Sequence, residues 1–405
     1  MSLIKSLALV IGRYITRFGR SAPTSRNVIY VLPPASAGSL GDQALLAGLV
    51  NLIHSTQESQ RIRQILLRDW HELPVPEGVD GALEVATVDT SSTLKYMISL
   101  IHCRHLVVLG ADVMDGFYSD EQVVQTIDLC NLAAELGVPV SIVSFSFSDK
   151  PTDSAIMALK SSNPLITYVL RDGISHARFE KIVGRSAFHA ADLAFQLKPD
   201  VLGDTSRKCL NWMEEQKLDG QTIIGFNANP LIDLGEGIDP IAVYARAVEG
   251  TLSRISGARC VFLPHDLRGS ISDVSLLNEI YMKLTEQTRE RVYVLQPEFN
   301  AWDVKGLVAR VDLLVTGRMH LAIAALSQCV PVLGVGYQGK FEGLFDLFNL
   351  VEMVITPGDL IEEDKLDEQV VRALSRSSEL RDEIASELPK VLKLSERNVM
   401  TLGIS

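Results

Sequence analysis

Residues 27–54, NVIYVLPPASAGSLGDQALLAGLVNLIH, decide the fold. The opening residues are rich in β-branched side chains and predict a buried strand that ends at Pro33. A stretch of small residues follows, and from Gln43 onward the apolar residues recur at helical spacing. Strand, glycine-containing loop and helix in this order open a βαβ unit, so the sequence predicts a parallel α/β domain.

Apolar runs bounded by loops recur along the chain, as strands that are buried on both faces of a parallel sheet require. Between these runs the sequence has helical patterns, and the alternation restarts after residues 197–200. The predicted strands are LVVLG (106–110), VPVSIVS (138–144), TYVLR (167–171), TIIGFN (222–227), RCVFLP (259–264), RVYVL (291–295), VDLLVT (311–316) and VPVLGVG (330–336).

Two successive α/β units predict two Rossmann-like domains facing a cleft, the arrangement of GT-B glycosyltransferases. A chain of 405 residues is long enough for two cores. Ligands in such folds bind outside the carboxyl ends of the strands. We predict four segments: a basic amphipathic N-terminal segment (1–26), an N-terminal Rossmann-like domain (27–205), a C-terminal Rossmann-like domain (206–358) and a C-terminal helical segment (359–405).

Composition and charge exclude several classes of protein. With 47% hydrophobic and 22% charged residues the chain is an ordinary globular protein. Its formal net charge of −12 opposes nucleic-acid binding, so we expect no nucleic-acid partner. An anionic substrate would have to be captured by a few locally placed cations. The five cysteines are scattered without CxxC spacing, which favours a reducing, cytoplasmic compartment over a disulfide framework or a zinc site.

The N-terminal segment has two open interpretations. Residues 6–12 form an apolar run that is too short to span a bilayer, and Arg13, Arg17 and Arg20 follow it. Residues 1–20 are therefore either an amphipathic helix in peripheral contact with the inner face of the membrane or a helix packed on the protein. No other segment resembles a transmembrane span.

The stretch LVTGRMHLAIAA (314–325) carries the strongest chemical signal. A buried strand ends at Gly317 and an apolar helix follows, so Arg318 and His320 are expected beside a helix N-terminus that favours anions. Arginine offers a planar donor fork to carboxylate or phosphate, and histidine exchanges protons near neutral pH. The alternative is an arginine in a structural ion pair and a histidine that caps the helix.

Other cationic and polar loops follow the predicted strands. Lys340 lies in the glycine-rich stretch after residue 333, where it could donate to a phosphate oxygen. Arg171 ends a strand of the first domain, and the adjacent Asp172 could cap the next helix. Asp42, near the start of the first helix, is either part of a ligand-approaching loop or belongs to a tight turn.

These stretches together resemble the polysaccharide pyruvyl transferase family, from about Val28 to Leu350. The family's G-N-x-G-D pattern appears as GSLGD (38–42), with Ser39 in place of asparagine. R-D-x-x-S appears as RDGIS (171–175), D-x-A-F as DLAF (192–195), R-x-H as RMH (318–320) and Y-x-x-K as YQGK (337–340).

The resemblance implies a GT-B-like fold and transfer of pyruvate from phosphoenolpyruvate to a sugar as a ketal. It implies no catalytic metal and no resident cofactor, with phosphoenolpyruvate as the co-substrate. The N-terminal domain would take the acceptor and the C-terminal domain the donor. His320 and Arg318 would be catalytic. The donor would be bound by Arg171, Arg318, Met319, His320, Tyr337 and Lys340, and the acceptor or loop candidates are Ser39, Asp42 and Asp112.

One departure from the family pattern leaves alternatives open. Residues 110–115 read GADVMD where the family has a run of glycines that would let the backbone approach a ligand, so the identity of the acceptor and the full activity both stay open. The second hypothesis is a GT-B nucleotide-sugar glycosyltransferase, in which Glu342 would hold the donor ribose. The third is a catalytically decayed sugar-binding member. Whether a sugar acceptor is lipid-linked stays open as well.

Overall fold

The protein is described from a computed structural model, which covers residues 26–34, 38–66, 75–84, 90–269, 272–336 and 339–403. Its contacts divide these residues into two compact units. The first lies within Met1–Ala37, Leu45–Gln196 and Lys393–Ser405, and the second within Gly38–Ala44 and Leu197–Leu392.

The first unit is built on a seven-stranded parallel sheet with the order β3-β2-β1-β4-β5-β6-β7. The apolar runs that define the strands in the sequence are its buried centre: every residue of β1 and β5 is buried. The strands are β1 (Val28–Leu32), β2 (Arg61–Leu66), β3 (Val79–Glu84), β4 (Cys103–Ala111), β5 (Val140–Phe145), β6 (Ile166–Leu170) and β7 (Phe188–His189). The helices are α1 (Leu40–Thr56), α2 (Thr90–Ser99), α3 (Asp120–Glu135), α4 (Asp153–Ser161) and α5 (Gly173–Val183).

The second unit repeats this plan with a six-stranded parallel sheet in the order β10-β9-β8-β11-β12-β13. Its strands are β8 (Thr222–Phe226), β9 (Ala258–Phe262), β10 (Val292–Val294), β11 (Leu313–Thr316), β12 (Val332–Val335) and β13 (Val354–Ile355). Its helices are α6 (Asp204–Leu218), α7 (Pro240–Arg254), α8 (Asp273–Lys283), α9 (Glu286–Arg289), α10 (Ala301–Val308), α11 (Met319–Leu326), α12 (Lys340–Asp346), α13 (Pro357–Ile361), α14 (Lys365–Ser375) and α15 (Ser377–Ser395).

The strand order reverses once in each sheet. In the first unit β1 pairs with both β2 and β4, and in the second unit β8 pairs with both β9 and β11. Chain connections leave such a point in opposite directions, which opens a crevice at the carboxyl ends of the strands where ligands of doubly wound sheets bind. The predicted α/β class with two Rossmann-like, GT-B-like domains is confirmed.

The predicted segment boundaries stay predictions, with one difference to note. Residues Gly38–Ala44, which the sequence groups with the first domain, make their contacts within the second unit. The predicted basic segment lies almost wholly outside the described residues. Among the residues that the structure describes, no helix has the length and apolar character needed to cross a membrane.

Candidate functional site

Hydrogen bonds fix the backbone where β11 ends. Thr316 closes the strand, and the backbone N–H of Arg318 donates to its hydroxyl at 2.9 Å. Asn229 Nδ2 donates to the carbonyl of Gly317 at 2.9 Å. A Cβ atom at Gly317 would lie 2.5 Å from Ile232 Cδ1 and 3.0 Å from Asn229 Cβ, so a larger residue would require these side chains to shift. The turn fixes where Arg318 leaves the strand and where helix α11 begins.

The Arg318 guanidinium lies between two aspartates. Its Nη2 donates to Asp273 Oδ1 at 2.6 Å and its Nε to the same oxygen at 3.1 Å, while Nη1 is 3.1 Å from Asp266 Oδ2. The Arg318 side chain is 12% exposed, so the structural ion pair that the sequence left as an alternative is present. Planar contacts of this kind hold the guanidinium in one orientation.

Asp273 is the centre of this network, although the sequence did not predict it as a site residue. It is fully buried at the start of helix α8. Its Oδ2 accepts from Asn227 Nδ2 at 2.9 Å and from the backbone N–H groups of His265 and Asp266 at 3.0 and 3.2 Å. The only sequence signal is an acidic residue in the first turn of a helix, which is usually just a cap.

Asp266 and His265 follow strand β9 and were also missed. Burial would raise the pKa of Asp266, but the hydrogen bond from Arg268 and the charges of Arg318 and Arg268 bring it below its ordinary value. Burial, with the nearby His320 and Arg318, lowers the pKa of His265 to about 3, so this imidazole is neutral at neutral pH. The positive charges of Arg268 and Arg318 are therefore neutralised by Asp266 and Asp273. Binding of an additional anion requires further positive groups.

His320 contacts the glycine motif of the N-terminal half. A Cβ atom at Gly41 would lie 2.2 Å from His320 Nδ1, so the backbone of α1 lies directly against the imidazole. Ser39 forms an antiparallel bridge with Asp266, and the N–H of Leu267 donates to the carbonyl of Gly38 at 2.9 Å. The GSLGD and RMH elements, which are far apart in the sequence, thus form one site in the second unit.

The remaining predicted residues of this site are placed as follows. Met319 and His320 are half-buried in the first turn of α11, and Lys340 is buried at the start of α12. Tyr337 lies outside the described residues, so its donor-binding role stays a prediction. Asp42 is buried in the first turn of α1, where its N–H donates to Ser39 Oγ at 3.3 Å.

Arg171 belongs to a separate cluster in the first unit. It is buried at the end of β6, where Nη1 donates to Asp192 Oδ2 at 3.1 Å and Nη2 to Ser146 Oγ at 2.9 Å. Asp172 caps helix α5 by accepting from the Ser175 N–H at 2.6 Å, which is the structural alternative considered for it. The RDGIS and DLAF elements therefore meet through the ion pair of Arg171 and Asp192.

Asp112 lies in the loop after β4, at the reversal point of the first sheet. Its Oδ2 is 3.3 Å from the hydroxyl of Tyr118. In the preceding residues, a Cβ atom at Gly110 would lie 2.6 Å from that of Phe145, and Ala111 has a φ of 47°. Ala111 thus has a left-handed conformation that glycine adopts more readily.

Chemically, the second unit combines an oriented guanidinium, an imidazole, a buried lysine and a helix N-terminus at one sheet edge. Such groups suit a small anionic ligand that must exchange a proton. Across the described part of the chain, no group of three or more His, Cys, Asp or Glu side chains is placed to hold a metal ion.

Comparisons with known proteins support the family and the fold. The family model of the polysaccharide pyruvyl transferases matches residues 40–339. No curated protein sequence is significantly similar to the chain.

Solved structures that share the fold include the following three. Anabaena Alr3699/HepE in complex with UDP-glucose is 12% identical, with a TM-score of 0.58 over 93% of this chain and 99% of that one. S. aureus MnaA with UDP is 12% identical, with a TM-score of 0.58 over 89% and 91%. The Neisseria meningitidis UDP-GlcNAc 2-epimerase bound to UDP-GlcNAc is 11% identical, with a TM-score of 0.56 over 93% and 99%.

Proposed function

The chain belongs to the polysaccharide pyruvyl transferase family, and we propose that it transfers pyruvate from phosphoenolpyruvate to a sugar as a ketal. The acceptor is a sugar of a polysaccharide or of a glycan precursor. The observation that carries the proposal is the contact between the RMH turn and the GSLGD loop. It places His320 against Gly41, at a helix N-terminus and two residues from an arginine held in one orientation.

The reaction balances without a resident cofactor. One sugar hydroxyl adds to C2 of phosphoenolpyruvate while a proton adds to its methylene carbon, which becomes a methyl group. A second hydroxyl of the same sugar then forms the second C–O bond at C2 as the C–O bond to phosphate breaks. The proton lost by the first hydroxyl balances the proton added to the methylene carbon, and the proton lost by the second hydroxyl leaves with the phosphate. The products are the cyclic ketal and inorganic phosphate.

His320 is the group proposed to move these protons. It lies at the carboxyl edge of β11, in the first turn of α11, where an anionic donor is favoured by the helix dipole. Because Arg318 and Arg268 are already balanced by Asp266 and Asp273, Lys340 and the helix N-terminus supply the additional positive potential in this proposal. Arg318 would then orient the donor carboxylate or phosphate through its fixed plane.

The test is phosphate release from phosphoenolpyruvate across a panel of sugars, with mass spectrometry of the pyruvate adduct. We expect His320→Ala to lower kcat by about 10²–10⁴-fold, which is the usual contribution of general acid–base catalysis. His176→Ala is the matched control, because His176 is a half-buried histidine of the first unit. Wild-type turnover in His320→Ala would rule out the assigned role.

The nucleotide-sugar alternative predicts a different ligand. The three solved structures named above contain UDP or a UDP-sugar in their own sites. Thermal unfolding of the whole chain with phosphoenolpyruvate, UDP and guanosine diphosphate separates the readings. Stabilisation by phosphoenolpyruvate alone supports pyruvyl transfer. Stabilisation by a nucleotide alone, with no phosphate release from phosphoenolpyruvate, would overturn it.

The proposal includes a lipid-linked acceptor and contact of residues 1–20 with the inner face of the membrane. Together they would place the reaction in the cytoplasm, beside a membrane-borne glycan precursor.

A further inference from the structure

An exposed aromatic pair lies at the reversal point of the first sheet. Phe117 is 60% exposed and Tyr118 is 43% exposed, and their rings meet edge to face with centroids 5.1 Å apart. Both belong to the loop between β4 and α3, at the edge where the crevice of a doubly wound sheet opens. Single exposed apolar side chains are ordinary on protein surfaces, whereas adjacent exposed ones can mark a binding site.

The loop is built to hold these rings outward. The buried carboxylate of Asp115 accepts from the N–H of Phe117 at 3.1 Å, and the Asp115 carbonyl accepts from the N–H of Thr152 at 2.9 Å. Gly116 has a φ of 82°, and a Cβ atom there would lie 2.2 Å from Thr152 Oγ1. Ser119 then caps helix α3. The aromatic pair is therefore presented by a fixed turn.

The charges of the loop define the class of ligand. Residues 111–121 contain four acidic residues and no lysine or arginine, so the loop repels phosphate and other anions. One of these carboxylates, Asp112, lies 3.3 Å from the Tyr118 hydroxyl, at the side of the aromatic pair. A neutral sugar fits both features, because the C–H face of a pyranose is apolar and its hydroxyl groups donate to carboxylates.

We infer that Phe117 and Tyr118, with Asp112 beside them, form a binding platform for a neutral pyranose ring of the acceptor. The identification of this sugar as the acceptor rests on the proposed function, since the platform itself requires only a neutral glycan. It assigns binding to two aromatic residues outside the five family elements. It also gives the non-glycine loop a role in acceptor recognition.

The direct test measures binding in the absence of phosphoenolpyruvate. Saturation-transfer NMR on the full chain would use methyl glucoside, methyl mannoside, methyl galactoside and, as an anionic contrast, UDP. We expect transfer to the ring protons of at least one glycoside, and about tenfold weaker binding in Phe117→Ala. Phe117→Trp should retain it.

Phe188→Ala is the matched control, because Phe188 is a 42% exposed phenylalanine on β7 of the same unit. Binding of no glycoside, binding that does not depend on Phe117, or an equal loss in Phe188→Ala would overturn the platform. A dependence of UDP binding on Phe117 would also overturn it, since the charge argument excludes an anion.

Turnover separates this inference from the proposed function. If sugars accept pyruvate, Phe117→Ala should raise the KM for the acceptor about tenfold and leave the KM for phosphoenolpyruvate unchanged. An unchanged acceptor KM would refute the platform while pyruvyl transfer stands. Glycoside binding that depends on Phe117, with no phosphate release from phosphoenolpyruvate, would refute pyruvyl transfer while the platform stands.

Discussion

Replacing Gly41 by alanine should disable His320 while leaving the protein folded. An ideal Cβ atom at Gly41 would lie 2.2 Å from His320 Nδ1, 2.7 Å from Cγ and 3.0 Å from Cβ. Non-bonded carbon contacts are comfortable at about 3.5–4.0 Å, so the imidazole would have to move by roughly 1 Å or more. Because Cβ of His320 is among the contacted atoms, a change of rotamer alone does not relieve the overlap.

The expected magnitudes differ for activity and for stability. A misplacement of about 1 Å at a reacting group can lower the rate about 10²-fold, which corresponds to about 2.7 kcal/mol. Gly41 lies in the first turn of α1, where alanine is intrinsically favoured over glycine by up to about 1 kcal/mol. This gain partly offsets the packing strain, so we expect the free energy of unfolding to change by less than about 2 kcal/mol.

The assay is phosphate release at saturating phosphoenolpyruvate and acceptor, with thermal unfolding measured in parallel. Gly257→Ala is the control, since the nearest atom to a Cβ there is Gln221 Oε1 at 3.8 Å. If Gly41 acts only through His320, the double variant Gly41→Ala/His320→Ala should be no slower than His320→Ala alone. A folded Gly41→Ala protein with wild-type kcat would refute the reasoning.

Two further predictions concern buried charges. Asp273→Asn should lower the free energy of unfolding by about 3 kcal/mol in urea denaturation, because the Arg318 guanidinium loses its main carboxylate. The same variant should raise the KM for phosphoenolpyruvate. Asp364→Asn, which changes a more exposed ion pair, should alter neither quantity. Burial lowers the pKa of Lys305 to about 7, so between that pH and about 10.5 the unfolded state binds more protons and stability rises with pH. Lys305→Met should therefore stabilise the protein more at pH 6 than at pH 9, and equal stabilisation at both would contradict the assignment.

The fold could be predicted because parallel strands buried on both faces leave a strong signal. The run at 106–110 lies inside β4, and the run at 311–316 ends with β11 at Thr316. Sheet order and the position of the reversal points could not be predicted in the same way. They depend on pairing between strands that are far apart in the sequence, such as β8 and β11, and no local sequence pattern determines that pairing.

The candidate site was predictable only in part. A strand end followed by an apolar helix was enough to place Arg318 and His320 at the carboxyl edge of a sheet. The aspartates that hold Arg318 could not be found, because Asp266 and Asp273 follow a different strand and resemble ordinary loop and capping residues. The reason for a glycine at position 41 is a contact with an imidazole distant in sequence, which spacing does not reveal.

The two departures from the family pattern bear on whether the chain has lost activity. Ser39 stands where the family has asparagine, yet its hydroxyl still accepts the N–H of Asp42 as an N-cap, which serine and asparagine do equally well. Ala111 replaces part of a glycine run but keeps a φ of 47°, at a strain of about 1–2 kcal/mol. The backbone therefore follows the path that glycine would allow at both positions. Arg318 is held by its aspartates and His320 lies against Gly41, so we propose that the sequence changes alter the surface offered to the acceptor without abolishing activity.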